Sequence, residues 1–332
     1  MSAERIWVGA YTADLHGSAE GITLLKVAAD GSLEDHGLAA AAESPSFLAR
    51  SGDVIYGVGE GVPSVSAFRV DGDKLHLQGT QDAAGTSPCA IAILGERSLL
   101  VAACYGDGTV DVHPLAPDGA ILKTGQSLHG TGSGSHSDQN GPHAHDVLSV
   151  DESTVLTTDL GSDDVYIHVF DGEVLTRIGA VKLPTGTGPR DLLLHPSGVI
   201  WVLGELSSEI FVLRRDETDF SIVGRVALPG AEVGDHAAAL ALSSDGRFAY
   251  SGLRGSNLIA ILAVSADGGT LTPVGSVSCG GEWPRHLVVD GDLLRVANQL
   301  SNSVDTFAIG ADGIPSKVSS LETASPTYLL LD

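Results

Sequence analysis

SPTYLLLD (325–332) closes the chain, and its phrase opens with the apolar run, led by Pro or a near equivalent, that starts every repeat in this sequence. The same opening stands at SPSFLA (44–49), SPCAIAI (87–93), GPHAHDVL (141–148), GPRDLLL (188–194), DHAAALAL (235–242) and WPRHLVV (283–289). Successive openings lie 42 to 54 residues apart, a spacing suited to one supersecondary unit of four short strands. After each opening comes a turn such as HPSG (195–198) or SSDG (243–246), then a second apolar strand ending in a recurring phrase. Those phrases are GVGEGVPSV, AACYGDGTV, TTDLGSDDV, VLGELSSEI, SGLRGSNLI and VANQLSNSV. A third strand (VYIHVF, IFVLRR, LIAILAV, VDTFAI) and a weaker fourth complete a meander.

The final repeat holds only its first strand. IWVGAYT (6–12), GITLLKVA (21–28) and the segment near 34–41 supply the other three from the opposite terminus. Sharing one unit between the termini closes a ring and removes the open sheet edge that invites aggregation. The reading is an all-β chain, a single domain over residues 1–332, folded as a seven-bladed β-propeller of four-stranded antiparallel blades. Composition agrees with it. Glycine is abundant at 42 residues, Met occurs once, and apolar residues are 43%, enough for a large core and too many for a disordered chain.

The formal charge of −24 argues against partners that need a basic footprint, namely nucleic acid and anionic membrane surfaces. The start, MSAERIWVGA, carries no basic region followed by an apolar run, and no stretch reaches the length of a bilayer span. Three scattered cysteines, Cys89, Cys104 and Cys279, suit buried thiols in a reducing compartment. The expectation is a soluble cytoplasmic protein, a monomer or weak homodimer.

In a meander the entry of the first strand and the exit of the second share a face. Arg190 and Glu205 are thereby brought to one rim, His143 and His145 to Asp159, Arg285 to Gln299, with Arg254 just past the exit of its own second strand. Guanidinium forks suit a phosphate or carboxylate, and a neutral His or a carboxylate can activate water. Plainer roles stand beside these. Arg190 and Arg285 could pair with Asp191 and Glu282, and Asp159 could order the turn LGSDD through backbone N–H groups. The segment HGTGSGSHSDQNGPHAHD (129–146) has four histidines but no zinc-type spacing and no Cys partner, so it reads as a mobile pocket wall rather than a metal site. Neither a phosphate-binding Gly loop before a helix nor a G-x-S-x-G elbow is present.

Taken together, GAYTADLHGSAEGI, CYGDGTV, DQNGPHAHD, GTGPRDLLLHPSG with GEL, SSDGRFAYSGLRG, and GEWPRHLVVD with VANQ resemble the seven-bladed lactonase family over essentially the whole chain. That family includes propeller-type 6-phosphogluconolactonases and carboxymuconate-lactonizing enzymes. The resemblance implies that His145 is a general acid or base and that Arg190, Glu205 and Arg254 serve catalysis or anion binding. It makes Arg285 an ancillary contact; His143, Asp159 and Gln299 stand with it as substrate-binding candidates from the rim geometry. The implied reaction is hydrolysis of a small anionic lactone, 6-phosphogluconolactone foremost, with no cofactor and no metal. Muconate cyclisation and a non-catalytic ligand-binding propeller are the alternatives. Four positions depart from the family pattern by losing polarity or reversing charge: Asp138, Asp191, Ala239 and Leu253.

Overall fold

A computed structural model describes residues 4–172 and 174–332. Among the described residues there are seven four-stranded sheets and two short 3-10 turns, with no α-helix. Six of the sheets are made of strands consecutive in sequence. In the seventh, the C-terminal strand Pro326–Leu331 pairs antiparallel with Arg5–Ala10, followed by Gly21–Val27 and Leu33–Ala41. The chain is therefore a seven-bladed β-propeller whose ring is closed by strands from both termini. Trp7 Nε1 donates to Asp332 Oδ2 at 3.0 Å and Arg5 pairs with the same carboxylate at 3.0 Å, so the closing strand is held by side chains as well as by its ladder.

Position in the sheet explains composition along each repeat. Second strands have neighbours on both sides and cover on both faces. Val54–Gly59, Leu99–Cys104 and Ile200–Gly204 are buried at every position and read as continuous apolar runs rather than alternating ones, and Thr154–Asp159 is as fully buried although it carries three threonines and an aspartate. Fourth strands such as Val174–Lys182 and Asp219–Ala227 expose most of their residues, so their apolar signal is weak.

The chain divides into two compact units. One comprises the N-terminal segment to Ala10, Thr23–Gly37 and Asp191–Asp332; the other comprises Tyr11–Ile22 and Leu38–Arg190. In the first, Trp201, Leu203, Val212, Leu253 and Leu262 anchor one buried cluster, and Tyr250, Ile261, Leu287 and Phe307 anchor another. In the second unit, Val101, Val112, Val155 and Leu175 form one core, and Tyr56, Val65 and Ile91 a further one.

Adjacent sheets are tied by a recurring device. An aromatic side chain in a second strand donates to the carbonyl of a turn glycine in the next sheet. Tyr56 reaches Gly119 at 2.9 Å, Trp201 reaches Gly268 at 2.9 Å, and Tyr250 reaches Gly313 at 3.0 Å. These glycines have φ of 85°, 65° and 79°, left-handed values at which a side chain is strained. The large ring is buried while its one polar atom stays paired. Among the described residues no helix is long and apolar enough to cross a membrane.

Candidate active site

Several of the strands that begin the blades carry a bulge at their entry. Register shifts between Ala144 and Val147, between Ala238 and Leu240, and between Pro284 and His286. A bulge leaves a residue out of the ladder and turns its side chain away from the regular pleat. His145, Ala239 and Arg285 occupy these positions, so the same backbone irregularity presents two of the candidate residues. Ala239 has φ of 58°, an uncommon value for a residue with a Cβ.

In the second unit, Arg190, 8% exposed, donates from Nη1 to His145 Nε2 at 2.5 Å. An imidazole nitrogen that accepts from a guanidinium carries a lone pair, so His145 is neutral, with its proton on Nδ1. The Arg190 backbone is fixed by its carbonyl, which accepts from Thr158 Oγ1 at 3.1 Å. The same hydroxyl accepts from the Asp146 N–H at 2.9 Å, next to His145. His143 donates from Nδ1 to the Tyr105 carbonyl at 2.6 Å, and its ring stacks on Tyr105 with centroids 4.6 Å apart. Tyr105 also meets His145 edge-on at 5.8 Å. The signal for this aromatic wedge between two histidines was the lone Tyr in AACYGDGTV, where the other recurring phrases have Glu60, Leu160, Glu205, Arg254 and Gln299.

Asp159 is fully buried. Its Oδ1 accepts the backbone N–H groups of His143, Gly161 and Ser162 at 2.8, 3.1 and 3.1 Å, so it orders the LGSDD turn and fixes the His143 backbone. Burial pushes its carboxyl above the usual range, against the pull of those three N–H bonds.

The loop at 129–146 differs from the expected mobile wall. Gln139 is buried and donates to the Leu160 carbonyl at 2.9 Å and to Asp163 Oδ1 at 2.7 Å, while its Oε1 accepts the His136 N–H at 3.1 Å. An amide with three bonds inside the protein pins the middle of a Gly-rich segment. The four histidines have separate partners: His129 meets Thr109, His136 meets Asp138, His143 meets Tyr105 and His145 meets Arg190.

In the first unit, Glu205 is the hub. Its Oε2 pairs with Arg254 Nη2 at 2.9 Å, and its Oε1 accepts from His236 Nδ1 at 3.0 Å. Arg254, 4% exposed, also donates from Nε to the His236 carbonyl at 3.0 Å. The pairing is set by register, because His236 and Arg254 are ladder partners. Trp283 closes this group: the Arg254 guanidinium lies 5.4 Å from its ring and the His236 ring 6.3 Å away. Trp283 has φ of 66° and donates its N–H to Asn257 Oδ1 at 2.8 Å, so the backbone is held in a left-handed conformation that aims the indole. His236 and Trp283 both lie in repeat openings, DHAAALAL and WPRHLVV, outside the residues that strand order brings to the rim. A histidine standing where the other six repeat openings carry Pro was the available signal.

Arg285 is half-buried at its bulge, and Gln299, also half-buried, donates its backbone N–H to the Trp283 carbonyl at 3.1 Å. The departures from the family pattern resolve individually. Asp191 Oδ2 accepts the Leu240 N–H at 2.6 Å, directly after the Ala239 bulge. Leu253 is buried in the core and Asp138 is half-buried in the loop beside His136.

Residues 5–330 match the family model described as "Lactonase, 7-bladed beta-propeller". The chain belongs to this family. It is 30% identical to a 6-phosphogluconolactonase of Bacillus subtilis (strain 168) over 297 residues, 86% of this chain and 84% of that one. A crystal structure of a Lactobacillus plantarum protein superposes with a TM-score of 0.91 at 31% identity, covering 98% of both chains. A periplasmic gluconolactonase of Pseudomonas aeruginosa superposes with a TM-score of 0.92 at 27% identity, again over 98% of both.

Proposed function

We propose that this member of the lactonase family hydrolyses a sugar-acid lactone, and that the substrate is 6-phosphogluconolactone. The observation that carries the reading is the contact of a guanidinium with a neutral imidazole, Arg190 with His145, in a chain related to a 6-phosphogluconolactonase. An arginine fork recognises phosphate or carboxylate and stabilises an oxyanion developing from a lactone carbonyl. Arg190 takes this role in its unit and Arg254 in its own. Each is oriented by a neighbour, Arg190 through His145 and Arg254 through Glu205.

Hydrolysis needs a base to take a proton from water, after which hydroxide attacks the carbonyl and the ring C–O bond breaks. It needs neither a redox partner nor a group carrier. The deciding experiment is the rate of acid release on adding protein to freshly generated 6-phosphogluconolactone, against spontaneous hydrolysis and against Arg190→Ala. Acceleration that vanishes in the variant supports the reading. No acceleration rejects this substrate, and a panel of other lactones and of carboxymuconate then separates hydrolysis from cyclisation and from binding alone.

A further inference from the structure

We infer that His236, oriented by Glu205, is the base that takes the proton from the attacking water. The inference rests on the lactonase reading above and names a residue that neither the repeat pattern nor the family resemblance put forward.

His145, Glu205 and His236 could each accept a proton, and their surroundings differ. His145 Nε2 already accepts from a permanently charged guanidinium, which opposes protonation of that nitrogen. Glu205 has both oxygens engaged, Oε2 by Arg254 and Oε1 by His236, so neither is presented to water unshared. His236 is arranged the other way round. A carboxylate can only accept, so the contact at 3.0 Å puts a proton on Nδ1, and in the neutral ring the lone pair is then on Nε2. Among the described residues Nε2 has no protein hydrogen-bond partner, and the side chain is 28% exposed. A carboxylate behind Nδ1–H holds the tautomer and stabilises the imidazolium that forms when Nε2 takes a proton.

The rest of the cluster fixes the ring. The His236 carbonyl accepts from Arg254 Nε, its strand partner, and the Trp283 indole lies against it. Charged groups that face the imidazole are Glu205, following strand Ile200–Gly204, and Arg254, ending strand Phe248–Arg254. The adjoining Asp235 carboxylate is taken up by the Glu232 N–H, the Ser256 N–H and the Ser256 hydroxyl at 2.9, 2.6 and 2.8 Å.

The step balances within the substrate and water. One water proton passes to His236 Nε2 as the water oxygen bonds to the lactone carbonyl carbon. The tetrahedral oxyanion collapses, the ring C–O bond breaks, and the Nε2 proton goes to the departing sugar oxygen. The new carboxylic acid loses its proton to solvent, which is the acid release observed.

The test compares wild type, His236→Gln, His236→Ala and Glu205→Gln on a lactone that wild type hydrolyses. His236→Gln should lower kcat about 100-fold with KM changed less than about threefold, and remove the acid limb of the pH profile. Free imidazole should restore part of the activity of His236→Ala, a rescue that a purely structural role does not provide. Glu205→Gln keeps an acceptor for Nδ1–H but loses the charge, so the acid limb should move to lower pH even if overall activity is reduced. If His236→Gln keeps kcat within about twofold, or raises only KM, His236 is not the base while the lactonase reading stands. If wild type accelerates no lactone, both fall together.

Discussion

Arg190 Nη1 sits 2.5 Å from His145 Nε2, a permanent cation donating into the lone pair of a neutral imidazole. The pair acts as one unit, because the guanidinium is aimed by the ring and the ring is kept uncharged by the guanidinium. Arg190→Ala should lower kcat/KM about 100- to 1000-fold, in line with the loss of an oxyanion donor. Arg190→Lys should recover only part of it, since an ammonium cannot reproduce the fork. Steady-state kinetics on the accelerated lactone checks both; Arg190→Ala turnover equal to wild type removes the pair from the mechanism.

Asp159 should make stability fall as pH rises. Its folded carboxyl titrates above the unfolded value of 3.8 because burial penalises the charge. Between 3.8 and that raised value the folded state holds more protons than the unfolded one, so stability declines as pH climbs through the window. Urea midpoints across the acid range should show the decline in wild type and its loss in Asp159→Asn. Asp159→Ala, which strands three backbone donors, should cost about 2–4 kcal/mol at neutral pH.

His168 should work in the opposite direction. It is fully buried against Thr157, and burial, aided by the Arg177 charge, pushes its pKa down to about 3. The unfolded chain binds this proton below the usual 6.5, so stability is complete above that pH and declines as pH falls toward 3. The slope is at most about 1.4 kcal/mol per pH unit for one group. His168→Gln should flatten that part of the acid-unfolding curve, whatever its effect at neutral pH.

The three thiols should be silent in the native state. Cys89, Cys104 and Cys279 are buried and unpaired with one another. Burial raises the Cys279 thiol to about 11 and the Cys104 thiol further still, with Asp111 adding to the latter. Since the thiolate is the reactive form, a disulfide reagent at pH 8 should label no cysteine of the folded protein and all three after denaturation.

Repeat spacing alone carried the fold: the orphan strand SPTYLLLD at one end and the missing three strands at the other require a shared blade, and strand Pro326–Leu331 pairs with Arg5–Ala10 accordingly. Strand order also placed Arg190, His145, Glu205 and Arg254 among residues to consider, because antiparallel neighbours put chain-distant positions at one strand end. Which side chains bond to which lay beyond that logic. Whether Glu205 meets an arginine, a histidine or both depends on the His236–Arg254 register and on a left-handed Trp283 that no local pattern announces. Likewise, Asp159 reads in sequence either as a substrate contact or as the residue that orders the LGSDD turn. Only three N–H groups converging on one oxygen, with no solvent beside it, make it a fixed part of the turn. Periodicity reports which face of a strand is buried, whereas hydrogen bonding depends on distances of a few tenths of an ångström that only the packed backbone sets.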